Sequence, residues 1–182
     1  MSVLNPVFSR ESVRYRDGKR HAWLVSLLVP AALGSGPLLV AATGSFAALW
    51  IPVVLLYVGI PAADRMLSED LNNPPEVVVP LLDADPYYRW VTYALVPILW
   101  AVFFSNAYYV GSQDLSWTSV LAMAITSGVL CGFGINLGHE LGHKKSKLER
   151  GLATSVLAMG AYGHFAIDHN RGHHRHVATP ED

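Results

Sequence analysis

The sequence predicts an all-α integral membrane protein, a helical bundle built from two transmembrane hairpins. Three observations predict it: the low proportion of charged residues, the long uncharged stretches and the placement of the basic residues. Only 15% of the 182 residues are charged, whereas 52% are hydrophobic. An average soluble domain carries about 25% charge, and a disordered chain is much less apolar than this one. Thirteen basic against fourteen acidic residues argue against nucleic-acid binding, because no basic excess is available to neutralise phosphates.

The first hairpin is predicted from the uncharged stretch between Arg20 and Asp64. These residues, 21 to 63, have the length of about two membrane spans of roughly 20 residues each. The tripeptide Thr43-Gly44-Ser45 near the middle is typical of a turn. We therefore predict spans over residues 22–42 and 46–63.

The second hairpin is predicted from two further uncharged stretches, Trp90–Gln113 and Leu115–Gly138. Asp114 separates them and indicates a tight turn. Each stretch is long enough to cross the hydrocarbon core of a bilayer. We predict spans over residues 90–110 and 117–138, so that the whole chain, 1–182, forms a single membrane domain.

The basic residues indicate how the hairpins are oriented. They occur before the first hairpin, between the two hairpins and after the second, and neither hairpin tip carries any: Arg10, Arg14, Arg16, Lys19, Arg20, Arg65, Arg89, Lys144, Lys145, Lys147, Arg150, Arg171 and Arg175. Basic loops stay on the cytoplasmic side of a membrane. The sequence therefore predicts a multi-pass protein of the cytoplasmic membrane whose N-terminus faces the cytoplasm.

Seven of the eight histidines lie between residues 139 and 176. Five of them form two boxes, His139-Glu-Leu-Gly-His143 and His169-Asn-Arg-Gly-His173-His174. Residues i and i+4 lie on one face of a helix, so each box can present two imidazoles in one direction. Imidazole is a ligand for iron, zinc, copper and nickel. The clustering therefore predicts a metal site.

A shared metal site requires both boxes to lie on the same side of the membrane. The first box is cytoplasmic by the distribution of basic residues. Residues 151–167, which lie between the boxes, are uncharged and close to the shortest length that spans a bilayer. We therefore predict that this segment is interfacial or re-entrant and carries the second box back to the cytoplasmic face.

Taken alone, the first box also matches H-E-x-x-H, the motif of zinc metalloproteases. In that interpretation Glu140 is the general base, and a membrane zinc protease is an alternative function. A catalytic zinc needs only one further protein ligand, because it keeps an open position. The three histidines of the second box exceed that need, and a site for two metal ions uses them naturally.

The flanks of the boxes make a more specific resemblance. The segments His139-Glu-Leu-Gly-His143-Lys144-Lys145 and Asp168-His169-Asn-Arg-Gly-His173-His174, followed by Val177-Ala-Thr-Pro-Glu-Asp182, resemble the integral-membrane alkane monooxygenases (AlkB type). Ser68-Glu-Asp-Leu-Asn-Asn-Pro-Pro-Glu76 is similar to the loop after that family's second helix. These enzymes belong to the wider membrane fatty acid desaturase and hydroxylase group, and a membrane fatty-acyl desaturase is the second alternative function.

The resemblance implies terminal hydroxylation of medium-chain n-alkanes to 1-alkanols with O2 and a histidine-liganded centre of two iron ions. Electrons come from rubredoxin and its reductase. The implied iron ligands are His139, His143, His169, His173 and His174. The carboxylates of Glu140 and Asp168 would orient imidazole N–H groups from behind, although the family usually has Glu at the position of Asp168. Because the family's third histidine box does not occur in the sequence, we expect the chain to be the N-terminal portion of a longer enzyme.

An alkane has no polar group to bind, so its selection requires an apolar channel that opens to the membrane lipid. Candidate walls lie on the second and fourth spans: Leu55, Leu56, Val129, Phe133 and Leu137. In the family that the sequence resembles, a bulky residue on the second helix limits the length of the alkane. Leu55 or Leu56 is the candidate for that position.

Overall fold

The computed structural model describes residues 15–67 and 73–179, except for the side chains of Ala166, Asn170, Arg171 and His174. The described chain consists of helices and their connections and contains no strand. Three helices are long and apolar enough to cross a membrane, and a bent pair at the start makes up to four. The predicted class, an all-α membrane helical bundle, is confirmed. Residues 68–72 and 180–182, which carry part of the sequence resemblance, lie outside the described residues.

The segment predicted as the first span is a bent pair of helices, α1 (Arg20–Leu33) and α2 (Gly36–Thr43), inclined to one another by 59°. Pro37 lies in the first turn of α2. It has no N–H group to donate to a carbonyl one turn earlier, so the hydrogen-bond ladder cannot continue from α1 through this position. The predicted span over residues 22–42 therefore coincides with a helix pair that is bent near its middle.

The second span, α3 (Phe46–Met66), has 21 residues. The turn before it lies where the sequence predicts one: Gly44 has a φ of +69°, a left-handed conformation that glycine adopts without steric cost. The side chain of Ser45 caps α3 by accepting a hydrogen bond of 3.3 Å from the N–H of Ala47. The middle of α3, Leu55–Gly59, is a π-helical turn.

The second hairpin is regular. A short helix, α4 (Val79–Ala84), leads into α5 (Pro86–Ser112), and α6 (Trp117–Gly142) follows after a tight turn. At 1.5 Å per residue, the 26 residues of α6 extend about 39 Å, more than the hydrocarbon thickness of about 30 Å. The ends of α6 therefore reach the polar surfaces of a bilayer.

The bundle exposes large apolar and aromatic side chains. Trp90 near the start of α5, Tyr108 near its end and Trp117 at the start of α6 are 68%, 77% and 75% exposed. Trp and Tyr are enriched where a membrane protein crosses the two bilayer interfaces. Their positions near both ends of the hairpin fit a multi-pass membrane protein.

Helix α7 (Lys147–Met159) packs antiparallel on α6 through two glycines. A Cβ atom on Gly138 would lie 2.6 Å from Leu157 Cγ, and one on Gly134 would lie 2.8 Å from Met159 Cε. Small residues allow membrane helices to approach this closely. The side chain of Leu157 is fully buried as a result.

The direction of α7 shows that the segment between the boxes enters the bundle and returns. Near its start, Glu149 accepts a hydrogen bond of 2.9 Å from the Tyr93 hydroxyl. At its end, the carbonyl of Met159 lies 3.7 Å from Cys131 Sγ, two turns below the first histidine box. The chain then reverses through Ala161, whose φ is +57°, into α8 (residues 165–176). The chain thus packs along α6 and returns to the end that carries the first box, a path compatible with the predicted interfacial or re-entrant segment.

Candidate metal centre

The first box lies in the last two turns of α6. His139 and His143 are one helical turn apart, and their Nε2 atoms are 3.1 Å from one another. Two imidazoles this close present their ring nitrogens to one small volume. The i, i+4 spacing that predicts a shared face therefore gives a pair of nitrogen donors.

The second box contributes His169 to the same volume. Its ring centroid is 4.3 Å from that of His139 and 5.3 Å from that of His143. One ring nitrogen from each of the three residues lies within 4.8 Å of the others. Three neutral imidazoles that converge from two segments are a donor set that fits an iron or zinc ion.

An aromatic side chain forms one wall of this cluster. The ring of Phe165, one turn before His169, stacks on the His169 ring at 4.8 Å between centroids and an interplanar angle of 19°. The same ring lies 6.0 Å from His139. Phe165 thus fixes the plane of one imidazole and shields a second one from the solvent.

The rest of the second box departs from simple helical geometry. Residues His169–His173 form a π-helical turn, a feature that is frequent at functional sites. The His173 ring stacks on the His169 ring at 5.5 Å and is not among the three converging residues. The side chain of His174 lies outside the described residues. Among the described side chains, three of the five predicted ligands converge.

The two predicted supporting carboxylates lie away from the three imidazoles. Asp168 is exposed, and its carboxylate is 3.9 Å from Nε2 of His164. Glu140 is also exposed and lines a cavity on another side of α6. Neither carboxylate makes a described hydrogen bond to a histidine of the cluster.

An apolar groove of about 520 Å³ runs along the same face of α6 below the first box. We call it the α6 groove; its lining residues are Tyr57, Ile125, Gly128, Val129, Gly132, Phe133 and Asn136. A Cβ atom on Gly128 or Gly132 would meet no atom within 4 Å, so these glycines leave space in the groove. Their helical spacing places the groove in line with His139.

A second space lies between α1, α5 and α6. We call it the capped cavity; its volume is about 570 Å³, and its lining residues are Asp17, Trp23, Ser26, Pro74, Leu82, Tyr88, Val91, Thr92, Leu95, Phe133, Asn136, Leu137, Glu140, Leu141 and Lys144. Phe133 and Asn136 line both the capped cavity and the α6 groove.

The predicted channel residues are divided among three spaces. Val129 and Phe133 line the α6 groove, whereas Leu137 lines the capped cavity. Leu55 and Leu56 line a separate space of about 200 Å³ between α1 and α3. The residue of α3 that lines the α6 groove is Tyr57, which the sequence analysis missed. An uncharged run gives no signal of which of its residues faces a neighbouring helix.

Ion pairs stabilise the end of the bundle that carries the histidines. Lys144 Nζ lies 3.0 Å from Asp83 Oδ1, and Arg20 Nη1 lies 2.6 Å from Asp85 Oδ2. The hydrogen bond from Lys144 lowers the pKa of Asp83. The pKa of Asp85 is also lowered, mainly by the hydrogen bond from the backbone N–H of Tyr87 and to a smaller extent by the hydrogen bond from Arg20. The end of α6 is thereby joined to α4, and the start of α1 is joined to the start of α5.

One more carboxylate at this end is held by a hydroxyl group. The Tyr88 hydroxyl donates a hydrogen bond to Asp17 Oδ2, and this bond lowers the pKa of Asp17. Tyr88 lies in the first turn of α5, and Asp17 precedes α1. The contact is a second connection between these two helices.

Comparison with known proteins identifies one family model and several relatives. The model described as fatty acid desaturase matches residues 115–182. Alkane 1-monooxygenase 1 of Alcanivorax borkumensis is 47% identical over 92% of this chain and 42% of its own length. The alkane 1-monooxygenases of Ectopseudomonas oleovorans and Pseudomonas putida are 45% and 44% identical, again over 92% of this chain and 42% of theirs. The chain therefore spans about two fifths of the length of these curated relatives.

Proposed function

The chain is homologous to the alkane 1-monooxygenases, and from this premise we propose that it belongs to an enzyme that hydroxylates the terminal methyl group of n-alkanes. O2 is the co-substrate and a 1-alkanol is the product. The relatives are named for this activity. The observation that supports the proposal is the convergence of imidazoles from both boxes at the end of an apolar groove.

We propose that His139, His143 and His169 hold one iron ion, and that His173 and His174 contribute to a second. Iron supplies the activation of O2 and the redox chemistry that amino-acid side chains lack. The protein fixes the donors: α6 orients two imidazoles, and Phe165 fixes the plane of the third. Asp168 keeps the charge of the carboxylate found in the family, and its described contact is with His164.

The α6 groove is the proposed site of the alkane chain. From Ile125 to His139 the groove face of α6 extends roughly 21 Å at 1.5 Å per residue. Its lining is apolar except for Asn136 and the hydroxyl of Tyr57, which suits a substrate without a polar group. The space beside Gly128 and Gly132 allows the chain to lie along the helix, with its terminal methyl towards the imidazoles and its entry from the lipid.

Electrons for the reaction must enter at the histidine end of the bundle. Lys145, Lys147 and Arg150 are exposed there and offer positive charge to an acidic donor. Rubredoxin with its reductase is the proposed donor. The basic residues on this side also favour the cytoplasmic face of the inner membrane.

Metal analysis and product analysis together test the proposal. The full-length protein should contain about two iron ions per chain and convert octane to 1-octanol only when O2 is present. One zinc ion with cleavage of a peptide would instead establish the protease alternative. A product with a new double bond and no hydroxyl would establish the desaturase alternative.

Substitution of a single histidine tests the ligand assignment. His169→Ala removes one of the three converging nitrogens, so bound iron should fall by at least half and hydroxylation should be lost. His164→Ala is the matched control, because His164 precedes the same helix but contacts Tyr162. Iron content measured by plasma emission spectroscopy should be unchanged in the control. Equal iron loss in both variants would contradict the assignment.

The position of Tyr57 tests the groove. Tyr57→Trp adds volume where α3 meets the groove, so the enzyme should prefer shorter alkanes. Leu56→Trp is the control, since Leu56 lines the separate space beside α1. Gas chromatography of the products from a mixture of alkanes measures both. A shift for Leu56→Trp with none for Tyr57→Trp would place the alkane elsewhere.

A further inference from the structure

The capped cavity combines a deep apolar part with polar residues at one end. Leu95 and Phe133 lie one to two helical turns inside the bundle, whereas Asp17, Glu140 and Lys144 lie at the histidine end. A cavity of this form matches an unbranched hydrocarbon chain that carries one polar group. An alkane can make no hydrogen bond at the polar end, so a chain that carries one polar group is the better fit.

The charges at the polar end select the kind of polar group. Lys144 is already paired with Asp83 at 3.0 Å, and Asp17 already accepts a hydrogen bond from Tyr88. Glu140 makes no hydrogen bond or ion pair within the described part of the chain. Its carboxylate can therefore accept a hydrogen bond from a ligand. Two carboxylates against one ammonium group repel an anionic head group, so the site favours a neutral donor, such as a hydroxyl group.

The position of the cavity connects it with the α6 groove. Phe133 and Asn136 form a wall that the two spaces share. If an alkane is hydroxylated at the histidine end of the groove, the product meets this wall as soon as it acquires a hydroxyl group. On the other side of the wall lies a carboxylate that can accept a hydrogen bond from that group.

We propose that the capped cavity is a binding site for the primary alcohol product. The hydroxyl group of the alcohol donates a hydrogen bond to the Glu140 carboxylate, and its hydrocarbon chain lies between α1 and α5. The assignment of the alcohol as the product rests on the proposed function. Binding itself requires neither iron nor O2, because the contacts are made by side chains alone. The hydrogen bond to the Glu140 carboxylate should raise the affinity for the alcohol roughly tenfold over a chain of equal length without a donor.

Photolabelling of the purified full-length protein in detergent, without alkane or an electron donor, tests the site. The probe is a long-chain primary alcohol with a diazirine at the far end of its chain, and labelled residues are located by peptide mass spectrometry. Label should appear on Trp23 and Leu95. 1-Dodecanol should prevent labelling by the probe at about a tenfold lower concentration than its methyl ether does, because the ether lacks the hydroxyl donor. It should likewise compete better than dodecanoate, because dodecanoate is anionic. Label confined to the α6 groove or the lipid-facing surface, or equal competition by all three compounds, would overturn the proposal.

Two variants sharpen the test. Leu95→Trp fills the cavity and should lower labelling of Trp23 severalfold, whereas Ala101→Trp, at an exposed position of the same helix, should leave it unchanged. Glu140→Gln keeps the shape of the side chain but removes its charge, so dodecanoate should then compete nearly as well as the alcohol. If Leu95→Trp does not fold, the competition series on the unchanged protein still decides. If the purified enzyme hydroxylates alkanes but the cavity is not labelled, this site alone is refuted. If the cavity is labelled but the full-length protein as purified neither contains iron nor hydroxylates alkanes, the proposed function alone is refuted.

Discussion

The first histidine box lies in the last turns of a 26-residue helix, whereas the second lies in a short segment that follows a re-entrant helix. Leu141, within the first box, is 2% exposed, and Leu130, further down α6, is fully buried. Near the second box, Ile167 and Val177 are 59% and 54% exposed. The first box is therefore held by core packing. The second is held mainly by the stacked rings of Phe165, His169 and His173.

This difference indicates which half of the site depends on the metal. A helix buried along one face keeps its geometry without a ligand, because its packing energy does not involve the histidines. A segment with little buried apolar surface has low local stability and gains most from a ligand that joins it to the rest of the protein. We expect a metal ion to fix the second box against the first.

Metal removal should give the largest effect. If the metal is present at about a hundredfold above its dissociation constant, it stabilises the bound conformation by about 2.7 kcal/mol. Chelation should then speed amide hydrogen exchange in residues 165–176 by up to about a hundredfold. Exchange in the middle of α6 should change little. Equal acceleration in both regions would contradict the proposed difference in support.

The contact between α6 and α7 should give the next largest effect. Gly138→Ala places a Cβ atom 2.6 Å from Leu157 Cγ, and such overpacking costs typically about 1–3 kcal/mol. The matched control is Gly132→Ala, because a Cβ atom there meets nothing within 4 Å. Thermal unfolding in detergent should show a lower midpoint for the first variant only. Because α7 leads into the segment that carries the second box, the affinity of the histidine cluster for metal should fall as well.

The ion pair beside the first box should give the smallest effect. Asp83→Asn removes the partner of Lys144, and an exposed ion pair contributes at most about 1 kcal/mol. Lys144 holds the folded-state pKa of Asp83 below its ordinary value of 3.8. The contribution is therefore present above that value and is lost as the pH falls through the lower, folded-state pKa.

Thermal stability measured across the acid range checks this sign. Asp83→Asn should lower the midpoint slightly near neutral pH and should remove part of the decline towards acid pH. Asp114→Asn, at the opposite tip of the second hairpin, is the control, since Asp114 makes no described ion pair. If Asp83→Asn leaves the midpoint and its decline towards acid pH unchanged, or changes them no more than Asp114→Asn does, the ion pair near the first box does not contribute.

Local patterns explain the parts of the structure that the sequence predicts well. An uncharged run long enough for a bilayer crosses it wherever it lies in the chain, so the helices that cross the bundle could be inferred from composition. The i, i+4 spacing of His139 and His143 is fixed by regular α-helical geometry. The same inference is less accurate for His169 and His173, because a π-helical turn changes the angle between them.

Contacts between distant segments explain the parts that the sequence leaves open. Leu55, Leu56 and Tyr57 are consecutive in an apolar helix, and only the position of α6 decides that Tyr57 lines the groove. Glu140 follows a histidine in the sequence, yet the packing of α1 and α5 places it in the capped cavity. Asp168 precedes the second box, but its described neighbour is His164.

The sequence by itself determined the class, an all-α membrane helical bundle, and the candidate histidines, because the first follows from composition and the second from clustering along the chain. Only the tertiary structure decided that His169 joins His139 and His143. That meeting depends on the close approach of α7 to Gly134 and Gly138 of α6 and on the reversal of the chain after Met159. These contacts join residues far apart in the chain, and no local pattern encodes the distance between them.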